Sequence, residues 1–320
     1  MNFVTLGKTG LIVSKMCFGT LGMGPLQLNM SPSEGAALIK EALRLGINFF
    51  DTAEIYETYS HLRQGLNGVE DVVVASKSYA YTREGMRRSV DKARLELGRD
   101  VIDIFMLHEQ ESGLTLRGHQ EALDYLIEAR ERGIVRAVGV STHYAEVVEI
   151  LATMPEIDVV HAIVNRDGIG VKGGLNRMLR ALQAAKDAGK GVYAMKALAG
   201  GRFYADFVSA LQYVRDLKCV DSVAVGVSNV FELEADAAVL SGLEVPAHIK
   251  QALNSVPRQL AIEPFCEGCG KCCKACQFGA LSLVGGKSTI DRDKCVLCGY
   301  CVAACPGYYI KIGESRAGGA

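Results

Sequence analysis

The chain has 320 residues and a formal net charge of −1, with 35 Lys and Arg against 36 Asp and Glu. That balance excludes the basic field that draws nucleic acid or an anionic membrane surface, and no apolar run approaches the length needed to cross a bilayer. The length allows one large domain and a small one, and the absence of a signal-peptide pattern at Met1 leads to the expectation of a cytoplasmic protein.

Residues 3–14 read as a short hairpin turning at Lys8-Thr9-Gly10. After it, a short apolar strand followed by a helix recurs eight times. The pattern predicts strands at 15–20, 47–52, 71–77, 101–108, 135–141, 158–164, 191–197 and 220–226. The helices carry apolar residues at three- and four-residue spacing, as in Ala36, Ile39, Ala42 and Leu43. Ser31-Pro32-Ser33-Glu34 supplies a cap and an N-terminal proline for that helix. Gly46, Gly98, Gly133 and Gly189 stand where helices close. The strands at 71–77 and 101–108 are mostly apolar rather than alternating, which suits parallel strands buried on both faces. Eight strand–helix units within about 240 residues make a (β/α)8 TIM barrel the expected fold. The alternative, an open doubly wound sheet, lacks a G-x-G-x-x-G turn between a strand and a helix. Gly22-Met23-Gly24 and Gly200-Gly201 read as barrel loops that let a ligand approach the backbone.

A barrel gathers its active site at the C-terminal ends of its strands. The second strand ends in Asp51-Thr52-Ala53-Glu54-Ile55-Tyr56, the third in Lys77 and the fourth in His108. An apolar strand rarely ends in a buried Lys or Asp unless the two pair. Carboxylate, phenol, ammonium and imidazole on one rim make a proton donor for a carbonyl oxygen. An ammonium beside a tyrosine stabilises its phenolate and is expected to acidify it, Asp51 holds Lys77 in place, and His108 orients the substrate oxygen.

Leu6-Gly7-Lys8-Thr9-Gly10, Phe50-Asp51-Thr52-Ala53-Glu54-Ile55-Tyr56, Ala75-Ser76-Lys77 and Asp103-Ile104-Phe105-Met106-Leu107-His108 resemble the aldo-keto reductase family. So do Val135-Arg136-Ala137-Val138-Gly139-Val140-Ser141-Thr142, Asn165, Met195-Lys196-Ala197-Leu198-Ala199-Gly200-Gly201 and Val225-Gly226-Val227-Ser228. The match spans residues 3–240. The resemblance implies a (β/α)8 barrel, a catalytic tetrad of Asp51, Tyr56, Lys77 and His108, and a nicotinamide cofactor, NADH or NADPH, held at Ser141 and Asn165. It also implies a small-molecule carbonyl substrate. Further cofactor contacts are expected at Met195, Gly226 and Ser228. The chain departs from the family where Met195 stands for an aromatic residue and His161 for an amide. No Lys or Arg lies between Lys218 and Lys250 to neutralise a 2′-phosphate, while Glu232, Glu234 and Asp236 oppose one. Either NADH is used, or another part of the protein supplies the base.

A segment at 243–261 connects the barrel to a cysteine-rich module, with a short helix expected from His248. The module, expected at 262–312 before a tail at 313–320, holds two C-x2-C-x2-C-x3-C runs: Cys266, Cys269, Cys272, Cys276 and Cys295, Cys298, Cys301, Cys305. Three thiolates spaced by two residues wrap one corner of a cubane, and the fourth reaches the other cluster. The expected ligand sets are Cys266, Cys269, Cys272 and Cys305 for one 4Fe-4S cluster, and Cys295, Cys298, Cys301 and Cys276 for the other. Two four-thiolate zinc sites are the alternative, although zinc pairs are usually separated by longer loops. The region resembles a bacterial two-cluster ferredoxin, with Gln277 in place of the usual proline and Cys273 spare. Three functions follow as expectations. The first is a nicotinamide-dependent carbonyl reductase. The second is an oxidoreductase fed through its clusters by a ferredoxin-type partner. The third is an electron carrier on a non-catalytic barrel.

Overall fold

The computed structural model describes residues 1–314 apart from 256 and 296; of the expected tail, residues 315–320 lie outside the described residues. β1 (Phe3–Thr5) and β2 (Ile12–Ser14) pair as an antiparallel hairpin. Eight parallel strands follow: β3 (Met16–Gly19), β4 (Phe49–Asp51), β5 (Val73–Ser78), β6 (Ile102–Leu107), β7 (Val135–Thr142), β8 (Val159–Ile163), β9 (Gly191–Met195) and β10 (Ser222–Gly226). Each pairs with the next, and β10 returns to β3. The sheet therefore closes, which discards the open doubly wound alternative. Every strand lies within one residue of its expected range.

The barrel interior is filled by Cys17, Phe49, Ala75, Ile104, Met106, Ala137, Val159 and Tyr193. Leu6 and Leu11 of the N-terminal hairpin join this cluster, fully buried, and each contributes about 1.5–3 kcal/mol by leaving water. The hairpin seals the end where strands begin, with Lys8 N–H donating to Gly189 O at 2.9 Å. Only the opposite end, where the polar residues stand, is left to receive a ligand. A second apolar layer, including Ile39, Val90, Leu126, Val148 and Leu182, joins the helices to the outer face of the barrel. Ser31 and Glu34 cap the first helix reciprocally, with Pro32 inside its first turn. Gly46, Gly98, Gly133 and Gly189 all take positive φ. Among the described residues no helix is long and apolar enough to cross a membrane.

Helix Ala247–Ser255 leads to the C-terminal module. There β11 (Arg258–Ile262) pairs antiparallel with β14 (Ile310–Glu314), and β12 (Leu281–Val284) pairs with β13 (Lys287–Ile290). The module is set into the barrel mouth rather than hung beside it. The Tyr308 ring lies over Gly170, where a Cβ would stand 2.1 Å from it, and the Tyr308 hydroxyl donates to Ile169 O at 3.0 Å. Gly201 meets β14 in the same way: a Cβ there would lie 2.1 Å from Ile312 O. Both glycines have positive φ, so a side chain would be strained as well as obstructed.

Candidate active site and cysteine cavities

β4, β5 and β6 bring the four rim residues together. Lys77, 1% exposed, donates to Asp51 Oδ1 at 2.7 Å and to Thr52 O at 2.8 Å. Its ammonium lies 4.9 Å from the centre of the Tyr56 ring, and His108 meets that ring edge-on at 5.7 Å. The second oxygen of Asp51 accepts from the Tyr193 hydroxyl at 2.7 Å. His161 stacks on Tyr193 at 3.8 Å and donates through Nδ1–H to Tyr193 O at 3.0 Å. The buried Asp51–Lys77 pair is thus tied on both sides, the condition under which such a pair survives desolvation.

One expectation is corrected. Tyr56 is not acidified: desolvation, followed by the fields of Asp51 and Glu109, pushes its phenol well above the usual range. The ammonium is already matched by Asp51, so it cannot outweigh burial. The phenol is therefore held protonated at neutral pH, the form a proton donor requires. His108 is held neutral by desolvation and by Lys77, and its Nδ1 is buried with no hydrogen-bond partner among the described residues.

A second polar group faces this one. Lys196, at the end of β9 with φ +60°, donates to His143 Nε2 at 2.9 Å and lies 4.3 Å above the Tyr308 ring. Desolvation lowers its ammonium to about 8. His143 approaches Glu109 Oε1 at 3.4 Å, and Tyr79 donates to Glu109 Oε2 at 2.7 Å while stacking on His108. Desolvation works against the Glu109 charge, but Lys196 and the hydrogen bond from Tyr79 hold its carboxyl below the usual range.

Between these groups opens a cleft of about 230 Å³. It runs from Asp51 and Tyr56 past Gly19, Met195 and Lys196 to Gly226, Ser228 and Glu232. Tyr308, Lys311 and Ile312 of the module form part of its wall, as does Arg258 of β11. Met195, Gly226 and Ser228 line the cleft. Ser141 Oγ accepts from Glu109 N–H at 2.8 Å, and Asn165 uses both ends of its amide on Ile169, at 2.9 and 2.8 Å.

In the module the cysteines divide between two small cavities. Cys266, Cys269, Cys272 and Cys305 line one; Cys276, Cys295, Cys298 and Cys301 line the other. Backbone N–H groups point at the sulfurs, from Tyr309 to Cys305 at 3.2 Å and from Ala280 to Cys276 at 3.3 Å. Four thiols line each cavity, and the residues present fit two 4Fe-4S clusters. Cys273 lines neither cavity and sits against Cys272 and Ser288.

Comparison with known proteins decides the lineage. Residues 15–208 match the aldo/keto reductase family, and residues 265–316 match the 4Fe-4S dicluster domain. The chain belongs to the aldo/keto reductase family. It is 27% identical to L-galactose dehydrogenase of Arabidopsis thaliana over 302 residues, covering 81% of this chain and 93% of that protein. A crystal structure from Pseudomonas aeruginosa assigned to the aldo-keto reductases superposes with TM-score 0.66 at 26% identity, covering 75% of this chain and 95% of that one. An aldo-keto reductase from Bacillus halodurans shares the fold, with TM-score 0.64 at 19% identity over 79% of this chain and 95% of that one.

In this aldo/keto reductase several site residues escaped the sequence reading. Tyr193 is interior in a strand and 142 positions from Asp51. His143 had no role, and Tyr308 and Arg258 belong to segments read as module and connection. Lys196 did carry a signal: like Lys77, it is a charge at the C-terminal end of an apolar strand.

Proposed function

We propose that this aldo/keto reductase reduces an aldehyde or ketone with a nicotinamide cofactor at the Tyr56 rim, and that its module holds two 4Fe-4S clusters on the cysteine sets given above. The observation that carries the reading is the buried Asp51–Lys77 pair against the Tyr56 ring at the inner end of a continuous cleft. The cleft passes backbone at Gly19, Gly200 and Gly226, where no side chain blocks an extended ligand, and reaches Arg258, whose buried Nε lacks a partner among the described residues. Those features fit a dinucleotide, with Met195 as an apolar surface against its ring. When bound, the nicotinamide supplies a hydride to the carbonyl carbon. Tyr56 gives its proton to the carbonyl oxygen, and Lys77 stabilises the phenolate left behind. His108, neutral and with a free buried nitrogen, accepts or donates a hydrogen bond that fixes the oxygen. Met195 and the module wall keep bulk water from the reacting atoms. The work is done in a reducing, cytoplasmic setting, where thiolate clusters persist. In domain terms we assign 1–242 to the barrel, 243–261 to a connection and 262–312 to the cluster module.

A second reading has its own support. Tyr308 lines the cleft three residues after Cys305, and Lys311 and Ile312 follow it in the wall. A cluster held by Cys305 would lie close behind that wall, so electrons from a ferredoxin-type partner could enter the barrel. The experiment is a titration of anaerobically purified protein with NADH, followed by EPR and by alcohol formation from a panel of aldehydes and ketones. Alcohol formation with the cluster signal unchanged is the expected result. Cluster reduction by NADH supports the second reading, and no NADH consumption with any carbonyl removes the first.

A further inference from the structure

The two cysteine cavities share their backbone donors but not their side chains. In each, the last cysteine of a run accepts from an N–H four residues on: Cys276 from Ala280 at 3.3 Å, Cys305 from Tyr309 at 3.2 Å. Around its cysteines the second cavity is otherwise lined by Leu260, Phe278, Ala280, Leu281, Leu297 and Gly299, none of which carries a side-chain donor. The first contains Ser288 of β13. Ser288 is 6% exposed, and its hydroxyl lies 3.2 Å from Cys272 Sγ and 4.0 Å from Cys273 Sγ. Among the described residues these two sulfurs are its hydrogen-bond partners. The Tyr309 hydroxyl, at the same cavity, is taken by the exposed Glu267 at 3.1 Å.

A hydroxyl is out of pattern at this position. Residues two apart in a strand share a face, and Ile290 packs against the module's apolar cluster from the face that Ser288 also occupies. A buried hydroxyl is unfavourable there unless it finds an acceptor. A thiolate bound to iron has no proton and can only accept, so the hydroxyl donates to it in a charge-assisted bond. Reduction adds negative charge to a cluster, so a donor on its sulfur favours the reduced form and raises its potential. The second run has Arg202 beside it, but that half-buried guanidinium donates to Cys298 O and lies over the Tyr300 ring rather than reaching a sulfur. We propose that Ser288 donates to the Cys272 thiolate and makes the cluster of Cys266, Cys269, Cys272 and Cys305 the first of the two to accept an electron. Ser288 acts through Cys272 and is a positioning residue. The assignment rests on the two-cluster reading of the module. Its consequence for the barrel is that the electron rests on the cluster whose Cys305 leads, three residues on, to Tyr308 in the cleft wall.

The test is a redox titration of the anaerobically purified full chain with dithionite and mediators, followed by EPR, after iron and sulfide have been counted. Each cluster takes up one electron, so two one-electron steps are expected from about eight irons per chain. Ser288→Ala and Ser288→Val should lower the upper step by about tenfold in the ratio of reduced to oxidised cluster, about 59 mV for one electron, and leave the lower step in place. Ser288→Thr, which has the shape of the valine variant but keeps the hydroxyl, should behave as the unaltered protein. Resonance Raman should show the Fe–S(Cys) stretching frequencies rising in the alanine and valine variants only. An upper step that does not move, a shift in the lower step instead, or equal shifts in the threonine and valine variants would overturn the role of Ser288 while leaving the two clusters standing. Protein that carries no 4Fe-4S signal on reduction and far fewer than about eight irons would remove the cluster reading and this assignment with it.

Discussion

Around Asp51 every contact is made by the protein itself: Lys77, Thr52 O and Tyr193 close the network inside a filled barrel. Around the eight module cysteines the protein supplies little beyond a few N–H groups and two small cavities. Among the described residues the module's own apolar cluster has seven buried members, two of which, Cys272 and Cys301, are themselves in the expected ligand sets. One site is held by packing and exists before any ligand arrives; the other is completed by what it binds. A module this small needs such a staple.

The sharpest way to break that contrast is to remove the clusters. Chelation under oxidising conditions, or Cys298→Ser, is expected to abolish amide-exchange protection in β11–β14 while the barrel strands keep theirs. Protection surviving in the stripped module would mean that its apolar core suffices. Next in size is Tyr56→Phe. It should lower kcat for carbonyl reduction by about 10²–10⁴-fold and leave cluster absorbance unchanged; retained turnover would remove Tyr56 from the proton step. Lys77→Met leaves Asp51 buried and uncompensated, so a loss of about 3–5 kcal/mol is expected in denaturant unfolding. Replacing the exposed Arg87, paired with Glu84 and Asp91 on a helix surface, by Ala should leave the denaturant midpoint essentially where it is.

Gly170→Ala probes the seam between the two regions. A Cβ there meets the Tyr308 ring in a left-handed backbone, and a penalty of about 1–3 kcal/mol is expected. Faster exchange at β14, with the barrel unaffected, is the outcome that supports docking through Tyr308. A further prediction concerns Lys196. Its folded pKa of about 8 lies below the unfolded value near 10.4. The charge therefore destabilises the fold below pH 8, and the penalty fades as pH rises from about 8 towards 10.4. Lys196→Met should raise the melting temperature at pH 7 by about 2–4 °C, with the gain vanishing by about pH 10.4.

Much of the architecture was legible from local pattern. Apolar strands repeat eight times, four of them after a helix-closing glycine, and each strand end could be inspected for a stranded polar residue. The cysteine spacing led to the expectation of a crossed assignment, because Cys276 and Cys305 fall outside the register of their own runs; in the structure Cys305 lines the cavity of the first run and Cys276 that of the second. What stayed hidden depends on contacts between distant segments. Tyr193 reaching Asp51, Tyr308 lying over Gly170 and Arg258 meeting Glu232 have no spacing to betray them. The Tyr56 phenol was misjudged for a related reason. Sequence neighbours revealed the ammonium, but desolvation and Glu109 belong to the assembled cleft.

The most direct test of the account follows hydrogen into the product. With NADH deuterated at the transferring position and an aldehyde the protein turns over, the alcohol is expected to carry deuterium on the former carbonyl carbon, with Tyr56→Phe forming almost none. Alcohol whose carbon carries solvent hydrogen, formed with a reduced ferredoxin and no NADH, would contradict it and move the electrons to the clusters.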